Sequence, residues 1–339
     1  MKILIVGLGS IGERHLQCFL QVKGVNCSVC EPRKNKLQEI KNRYKSKIDR
    51  AFCKLEASDL SYFDGVVICA PPHLHISMAT QAAESGCHVL IEKPLSHNLN
   101  GIDKLIKLKN KKGLVIGMAN VYRNDPVNQK IKELIKEKRI GKARLVVAKG
   151  GQDFAKYRPD YKSIYFAKKK MGGGTILDGM SHGLNLMEWF FGKEREICCF
   201  YDRLGLKGIE TEDTAIILLR YKKDNVMVEQ HENRFQKGDT SYFEIIGDKG
   251  TFKIEQKYSG LSGIFTKKIL CFQNDNKGWE TIYTKKFARN FLFVRQAKNF
   301  INAIKGKENI KTSIEEGLHT LKICLLAKKS YDTGKIIRL

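Results

Sequence analysis

Residues 3–6 form a short apolar run, and Gly7-Leu8-Gly9-Ser10-Ile11-Gly12 follows it directly. A G-x-G-x-x-G alone is a weak signal. Here it joins a strand-like run to a segment of helical spacing, 11–22, and that order constrains the fold. Gly7 permits a tight turn, Gly9 lets backbone approach a pyrophosphate, and Gly12 lets the helix pack close to the strand. The amides of Ser10 and Ile11 then head a helix whose N-terminus favours phosphate. The expected ligand is a dinucleotide.

Glu31 ends the next strand-like run, about 20 residues further on, where an acid accepts ribose hydroxyls. That acid favours NAD. Arg33 and Lys34 follow at once and could hold a 2′-phosphate instead, so NADP stays open.

Strand-like runs at 3–6, 25–30, 65–69, 88–91 and 115–118 alternate with helical spacing at 11–22, 34–44, 75–85 and 99–112. Continuously apolar strands alternating with helices indicate a parallel sheet covered on both faces. After residue 120 the pattern changes. A helix over 125–138 and a strand over 143–149 precede a polar, aromatic loop at 150–171 and a helix reaching 191. Strand-like runs then continue to about 283, and two helices, 291–305 and 313–331, close the chain. The expected fold is α/β: a Rossmann doubly wound parallel sheet over 1–120, followed by an α+β domain over 121–339 with a large, mostly antiparallel open sheet.

In open parallel sheets, ligands lie beyond the carboxyl ends of the strands. One such end carries Cys69-Ala70-Pro71-Pro72-His73-Leu74-His75 and another carries Glu92-Lys93-Pro94. Ala70, Pro71, His75 and Glu92 are therefore candidate cofactor contacts, although histidines there more often cap or pack. Lys93, at the end of a buried strand, is placed for partial desolvation, which lowers an amine pKa and suits acid/base work. Further on, Gly172-Gly173-Gly174 leads into Asp178 and His182. Four residues apart on a helix, they share a face, and a carboxylate raises the basicity of a neighbouring imidazole. No metal is expected, because no further ligands can be placed.

These motifs arrive in one order, and the chain resembles the glucose–fructose oxidoreductase / inositol dehydrogenase (Gfo/Idh/MocA) family. The residues that carry the resemblance are Gly7 to Gly12, Ala70-Pro71-Pro72 with His75, Glu92-Lys93-Pro94, Asn120-x-Tyr122-Arg123, and Gly172 through Asp178 to His182. The resemblance implies an NAD(P)-dependent oxidoreductase of sugars, nucleotide sugars or cyclitols. Lys93 takes the place of the catalytic lysine, with Asp178 and His182 as acid and histidine. Either Lys93 or His182 could handle the hydroxyl proton. Arg123 is implied near cofactor or substrate. The segment Tyr157-Arg158-Pro159-Asp160-Tyr161, with Tyr165 and Lys168, resembles that of members from bacterial surface-sugar pathways, with Arg158 and Tyr161 as substrate contacts. The resemblance also implies a homodimer or homotetramer through the second-domain sheet. Two other readings stay open: a cofactor-retaining enzyme without net redox change, and a silent dinucleotide-binding regulatory protein.

The formal charge is +25. The lysines are dispersed rather than blocked, which argues for a solvated surface and against a nucleic-acid partner. No apolar run approaches the roughly 20 residues of a membrane span, so no membrane partner is expected. Ten scattered cysteines do not form a disulfide framework. With no leader-like N-terminus, a cytoplasmic setting is expected.

Overall fold

In the computed structural model, residues 1–259, 263–273 and 278–339 are described, with 239 and 240 described by backbone alone. They form two compact units, residues 1–124 with 290–319, and 125–289 with 320–339.

The first unit is built on β1 (Lys2–Val6), β2 (Asn26–Cys30), β3 (Ile48–Phe52), β4 (Gly65–Ile68), β5 (His88–Ile91) and β6 (Ile116–Met118). The strands are parallel in the order β3-β2-β1-β4-β5-β6. The order reverses at β1, which places a crevice beyond its carboxyl end. Helices α1 (Ser10–Phe19), α2 (Lys34–Tyr44), α3 (Ala57–Leu60), α4 (His75–Glu84) and α5 (Ile102–Lys112) connect the strands. Left-handed Gly113 stops α5 by donating its N–H to the Asn110 carbonyl.

The sequence boundary at 120 expects everything beyond it in the second domain. The contacts instead return residues 290–319 to the first unit. The reason is apolar. Helix α9 (Phe291–Ile304) presents Ala297, Phe300 and Ile301 to the same core as Ile3, Leu16 and Phe19. The Phe300 ring stands edge-on to Phe19 at 6.3 Å. Each large buried side chain of this kind contributes about 1.5–3 kcal/mol.

In the second unit, α6 (Pro126–Lys136) starts with Asp125 accepting the Val127 N–H and with Pro126 in the first turn. Strand β7 (Ala143–Asp153) leads to the short α7 (Phe154–Tyr157), and α8 (Ser181–Phe191) follows. Then come β8 (Glu194–Asp202), β9 (Thr214–Tyr221), β10 (Met227–Asn233), β11 (Phe235–Gly247), β12 (Gly250–Ser259), β13 (Ile264–Gln273) and β14 (Glu280–Ala288). Helix α10 (Ile314–Thr333) and β15 (Ile337–Arg338) end the chain. The nine-stranded sheet has the order β14-β13-β12-β11-β7-β10-β9-β8-β15. It is antiparallel except at β7 and β10, which run parallel. One face is covered: Phe191 of α8 packs on Tyr221 of β9 at 5.8 Å, and Cys324 of α10 lies against Ile176. On the other face Ile216 and Leu218 are 43% and 47% exposed.

Candidate active site

The glycine loop takes the form its spacing predicts. Gly7 has φ +86°, and a Cβ there would lie 2.9 Å from the Cys69 carbonyl. A Cβ on Gly12 would collide with the Gly7 carbonyl, so this glycine lets α1 sit against the turn. Gly9 differs: nothing described lies within 4 Å of its Cβ position. That open side, at the N-cap of α1 with Ser10 and Ile11 in the first turn, is a cradle that a dinucleotide pyrophosphate fits.

Glu31 is 2% exposed and reaches back to this loop. Its Oε2 accepts the Leu8 N–H at 2.7 Å. Arg33 donates to Oε1 through Nε at 2.7 Å and to Oε2 through a terminal nitrogen at 3.0 Å. The two residues weighed as alternatives in the sequence are thus one ion pair. Burial works to raise the Glu31 pKa, but hydrogen bonds from the Arg33 side chain and from the Leu8 and Arg33 amides outweigh it, and the carboxyl sits below 4.5.

Beyond β4, Ala70 and Pro71 form the turn into a short 3-10 segment, Pro72–Leu74. His75, a candidate cofactor contact in the sequence, has both ring nitrogens engaged by backbone. It is 1% exposed, and its ring nitrogens face the Pro94 carbonyl at 2.9 Å and the Ala70 carbonyl at 2.7 Å. It braces the loops after β4 and β5 against each other. A neutral imidazole donates to only one of them at a time, and burial holds its pKa below 6.5 despite both carbonyls. Lys93 is the second residue past the end of β5 and is half-buried. Its N–H donates to Glu92 Oε2 at 3.0 Å, and Glu92 Oε1 lies 2.7 Å from His15 Nε2 of α1.

In the second unit, Asp178 sits in a π-turn, Ile176–Met180, that runs into α8. The expected α-helical spacing to His182 is therefore replaced by a wider turn, a device common at functional sites. The Asp178 carboxylate accepts the Tyr165 hydroxyl on one oxygen and, at 3.2 Å, an Arg234 nitrogen on the other. Arg234 also bonds Thr175 and Gln152, each at 3.2 Å, and pairs with Glu232 at 2.9 Å. Side chains on the turn would block this arrangement. A Cβ on Gly179 would collide with Arg234, and one on Gly183 would come within 2.5 Å of Gln230. His182 lies in the first turn of α8, half-buried.

Two expected site residues, Arg123 and Tyr161, have their polar groups engaged within the protein, and a third, Arg158, lies at the surface. Arg123 is 2% exposed and pairs with Glu316 within the first unit, also bonding the Lys311 carbonyl at 3.3 Å. Tyr161 is buried among Phe154, Phe166, Ala167 and Ile209, and its hydroxyl donates to the Lys207 carbonyl at 2.9 Å. A phenol with that much apolar surface gains more from packing than from exposure. Arg158 is exposed. Sequence reasoning missed His15, Glu232 and Arg234. A signal for the last two was present: Gln230 and Glu232 follow Val228 at alternate positions of β10, and Arg234 comes just past the strand's end.

Comparison with known proteins agrees. Residues 1–120 match the oxidoreductase family with an NAD-binding Rossmann fold, and 128–253 match the GFO/IDH/MocA C-terminal domain. Myo-inositol 2-dehydrogenase of Thermotoga maritima is 25% identical over 347 residues, covering 100% of this chain and 98% of that one. The WlbA dehydrogenase from Bordetella pertussis, solved with NADH and UDP-GlcNAcA, superposes with a TM-score of 0.80 at 21% identity, over 100% of this chain and 98% of that one. Scyllo-inositol dehydrogenase from Lactobacillus casei, solved with NAD(H) and scyllo-inositol, gives 0.78 at 20% identity over 100% and 98%. With the glycine loop, the Glu92-Lys93-Pro94 strand end and both domain matches in place, this chain belongs to the Gfo/Idh/MocA family and is an NAD(P)-dependent dehydrogenase acting on CH–OH groups.

Proposed function

We propose that this dehydrogenase interconverts a ring hydroxyl and a ketone on a cyclitol or a nucleotide-linked sugar, in bacterial surface-sugar biosynthesis, with Lys93 as the acid/base. The observation that carries the reading is Lys93 at the carboxyl end of β5, in the sheet whose β1 feeds the glycine loop. The bound nicotinamide supplies hydride exchange. Everything else belongs to the chain. Gly7, Gly9, Ser10, Ile11 and Gly12 shape the pyrophosphate cradle, and Glu31 with Arg33 closes its adenosine side. Ala70 and Pro71 form the turn after β4, and Glu92 orients the lysine. The Lys93 amine takes the proton of the reacting hydroxyl and stabilises the developing alkoxide. Asp178 and His182 hold substrate hydroxyls, with Tyr165 and Arg234 fixing the carboxylate.

Relatives bracket the substrate. The matched chains named above are dehydrogenases of inositols and one solved with a UDP-sugar acid, and a UDP-N-acetylglucosamine 3-dehydrogenase from Acidithiobacillus ferrooxidans matches 57% of this chain at 25% identity. The surface-sugar setting is supported by the segment 157–168, in which Arg158 and Lys162 are exposed cations that an anionic group could meet. Homo-oligomer formation through the second-unit sheet is supported by the apolar side chains on its uncovered face, Phe200, Ile216, Leu218 and Met227. A cytoplasmic setting is supported by ten free cysteines.

The first test is titration with NADH and with NADPH, followed by nicotinamide fluorescence, with Gly9→Arg as control. Saturable binding that the variant loses is expected, and the tighter of the two ligands names the preferred coenzyme. Absence of binding in cofactor-free protein overturns the reading. Oxidation of myo-inositol, scyllo-inositol and UDP-N-acetylglucosamine with NAD+ then locates the substrate class. Lys93→Met should lower turnover by about 10²–10⁴-fold, the usual weight of a general acid/base, with NADH binding retained.

A further inference from the structure

His15 lies on α1, three residues past Gly12, and is fully buried. A polar ring at 0% exposure has a reason to be there. Its Nε2 is 2.7 Å from Glu92 Oε1. Its Nδ1 is buried and meets no hydrogen-bond partner among the described residues. A neutral ring carries one N–H, so that proton belongs on Nε2, donating to Glu92. Glu92 is 5% exposed, and its other oxygen accepts the Lys93 N–H at 3.0 Å. The ring is itself fixed by packing: Phe293 of α9 stands edge-on at 5.7 Å and Phe19 lies at 6.3 Å.

We propose that His15 is a positioning residue for Lys93, acting through the Glu92 carboxylate. The inference rests on the reading of Lys93 as the acid/base and deepens it. The Glu92 carboxylate meets His15 with one oxygen and the Lys93 amide with the other. Removing His15 takes a charge-assisted hydrogen bond from a buried oxygen, and such a bond is strong because water cannot replace it there. The carboxyl then turns to recover a donor, and Oε2 leaves the lysine amide. On the far side of Lys93, His75 holds the Pro94 carbonyl. The lysine backbone is thus fixed before it by His15 and after it by His75. The first of these struts stands on the helix that the dinucleotide phosphates address.

The test is competitive labelling of native protein with trace acetic anhydride, digestion, and mass-spectrometric readout of each lysine. Lys104, whose side chain is 76% exposed in the same unit, serves as the internal reference. His15→Phe keeps an aromatic ring in the pocket and removes the donor. His15→Gln places an amide N–H close to the original Nε2. The expected result is a change of roughly threefold to tenfold in the Lys93/Lys104 reactivity ratio for His15→Phe, the equilibrium weight of about one net hydrogen bond. The ratio should return to the native value in His15→Gln. Should His15→Phe not fold, His15→Asn, too short to reach Glu92, carries the same measurement. An unchanged ratio in a folded donor-free variant overturns the proposal. So does a change that spreads to all lysines or that His15→Gln does not reverse, since either marks a purely structural role. The labelling needs neither coenzyme nor substrate. A chain that failed to bind NADH would overturn the functional reading and leave this result readable in its own right.

Discussion

Glu31 stays charged where burial opposes charge, and the sign of its pH effect follows. Its folded pKa lies below 4.5. The stability it contributes is therefore complete above that value and is lost as pH falls through the depressed one. Melting curves of native protein and Glu31→Gln should differ most above about pH 4.5 and converge in more acid solution. Equal separation at every pH would show that the carboxylate is not the source. The second and third glycines of the loop separate function from folding. Gly9→Ala meets open space, so the fold should keep its melting temperature, whereas Gly12→Ala forces α1 off the Gly7 carbonyl at a cost of about 1–3 kcal/mol. At this scale the sequence was informative about residue types and less so about partners. Spacing located Gly7 to Gly12, Glu31 and Lys93. It could not show that Arg33 would spend its guanidinium on Glu31, that His75 would brace two carbonyls, or that Tyr161 would turn inward. Those outcomes depend on which buried polar atom needs a partner, and that is known only once the chain has closed around it.

Among the elements, the π-turn that leads into α8 depends on strand β10 beneath it. Gly179 and Gly183 face the side-chain ends of Arg234, Glu232 and Gln230 at distances that force those side chains to shift if a methyl group is added. Gly183→Ala should lower stability by roughly 1–3 kcal/mol in a urea titration, and turnover should fall with it. Native-like stability and turnover would show that Gln230 moves aside freely. The strands of the first unit were legible because burial on both faces makes them continuously apolar. Strand β3 was missed for the opposite reason: Ile48-Asp49-Arg50-Ala51-Phe52 lies at the sheet edge, paired only with β2, with polar side chains in its middle. Helix α9 was recognised as a helix but assigned by chain order rather than by its apolar face. Phe300→Ala would empty part of the first unit's core and should cost about 3–5 kcal/mol. Loss of NADH binding at a temperature that native protein withstands would report that same unit failing.

For the whole molecule, the covered and uncovered faces of the nine-stranded sheet make different demands. Phe200, Ile216 and Leu218 occupy one continuous register across β8 and β9 on the uncovered face. If that face joins copies, Leu218→Arg should shift the sedimentation coefficient towards a monomer and leave NADH binding unchanged. An unaltered coefficient would place the interface elsewhere. The family and its two-part plan could be read from motif order alone, whereas the return of residues 290–319 could not, because a domain boundary is a property of contacts. That return bears on how the protein is made. A ribosome adding about 5–20 residues per second delivers α1 early and α9 many seconds later. Until then the nascent nucleotide-binding half exposes the apolar surface that Ala297, Phe300 and Ile301 finally cover. The half of the protein that begins translation first is the half completed late, and chaperones have the longest access to it.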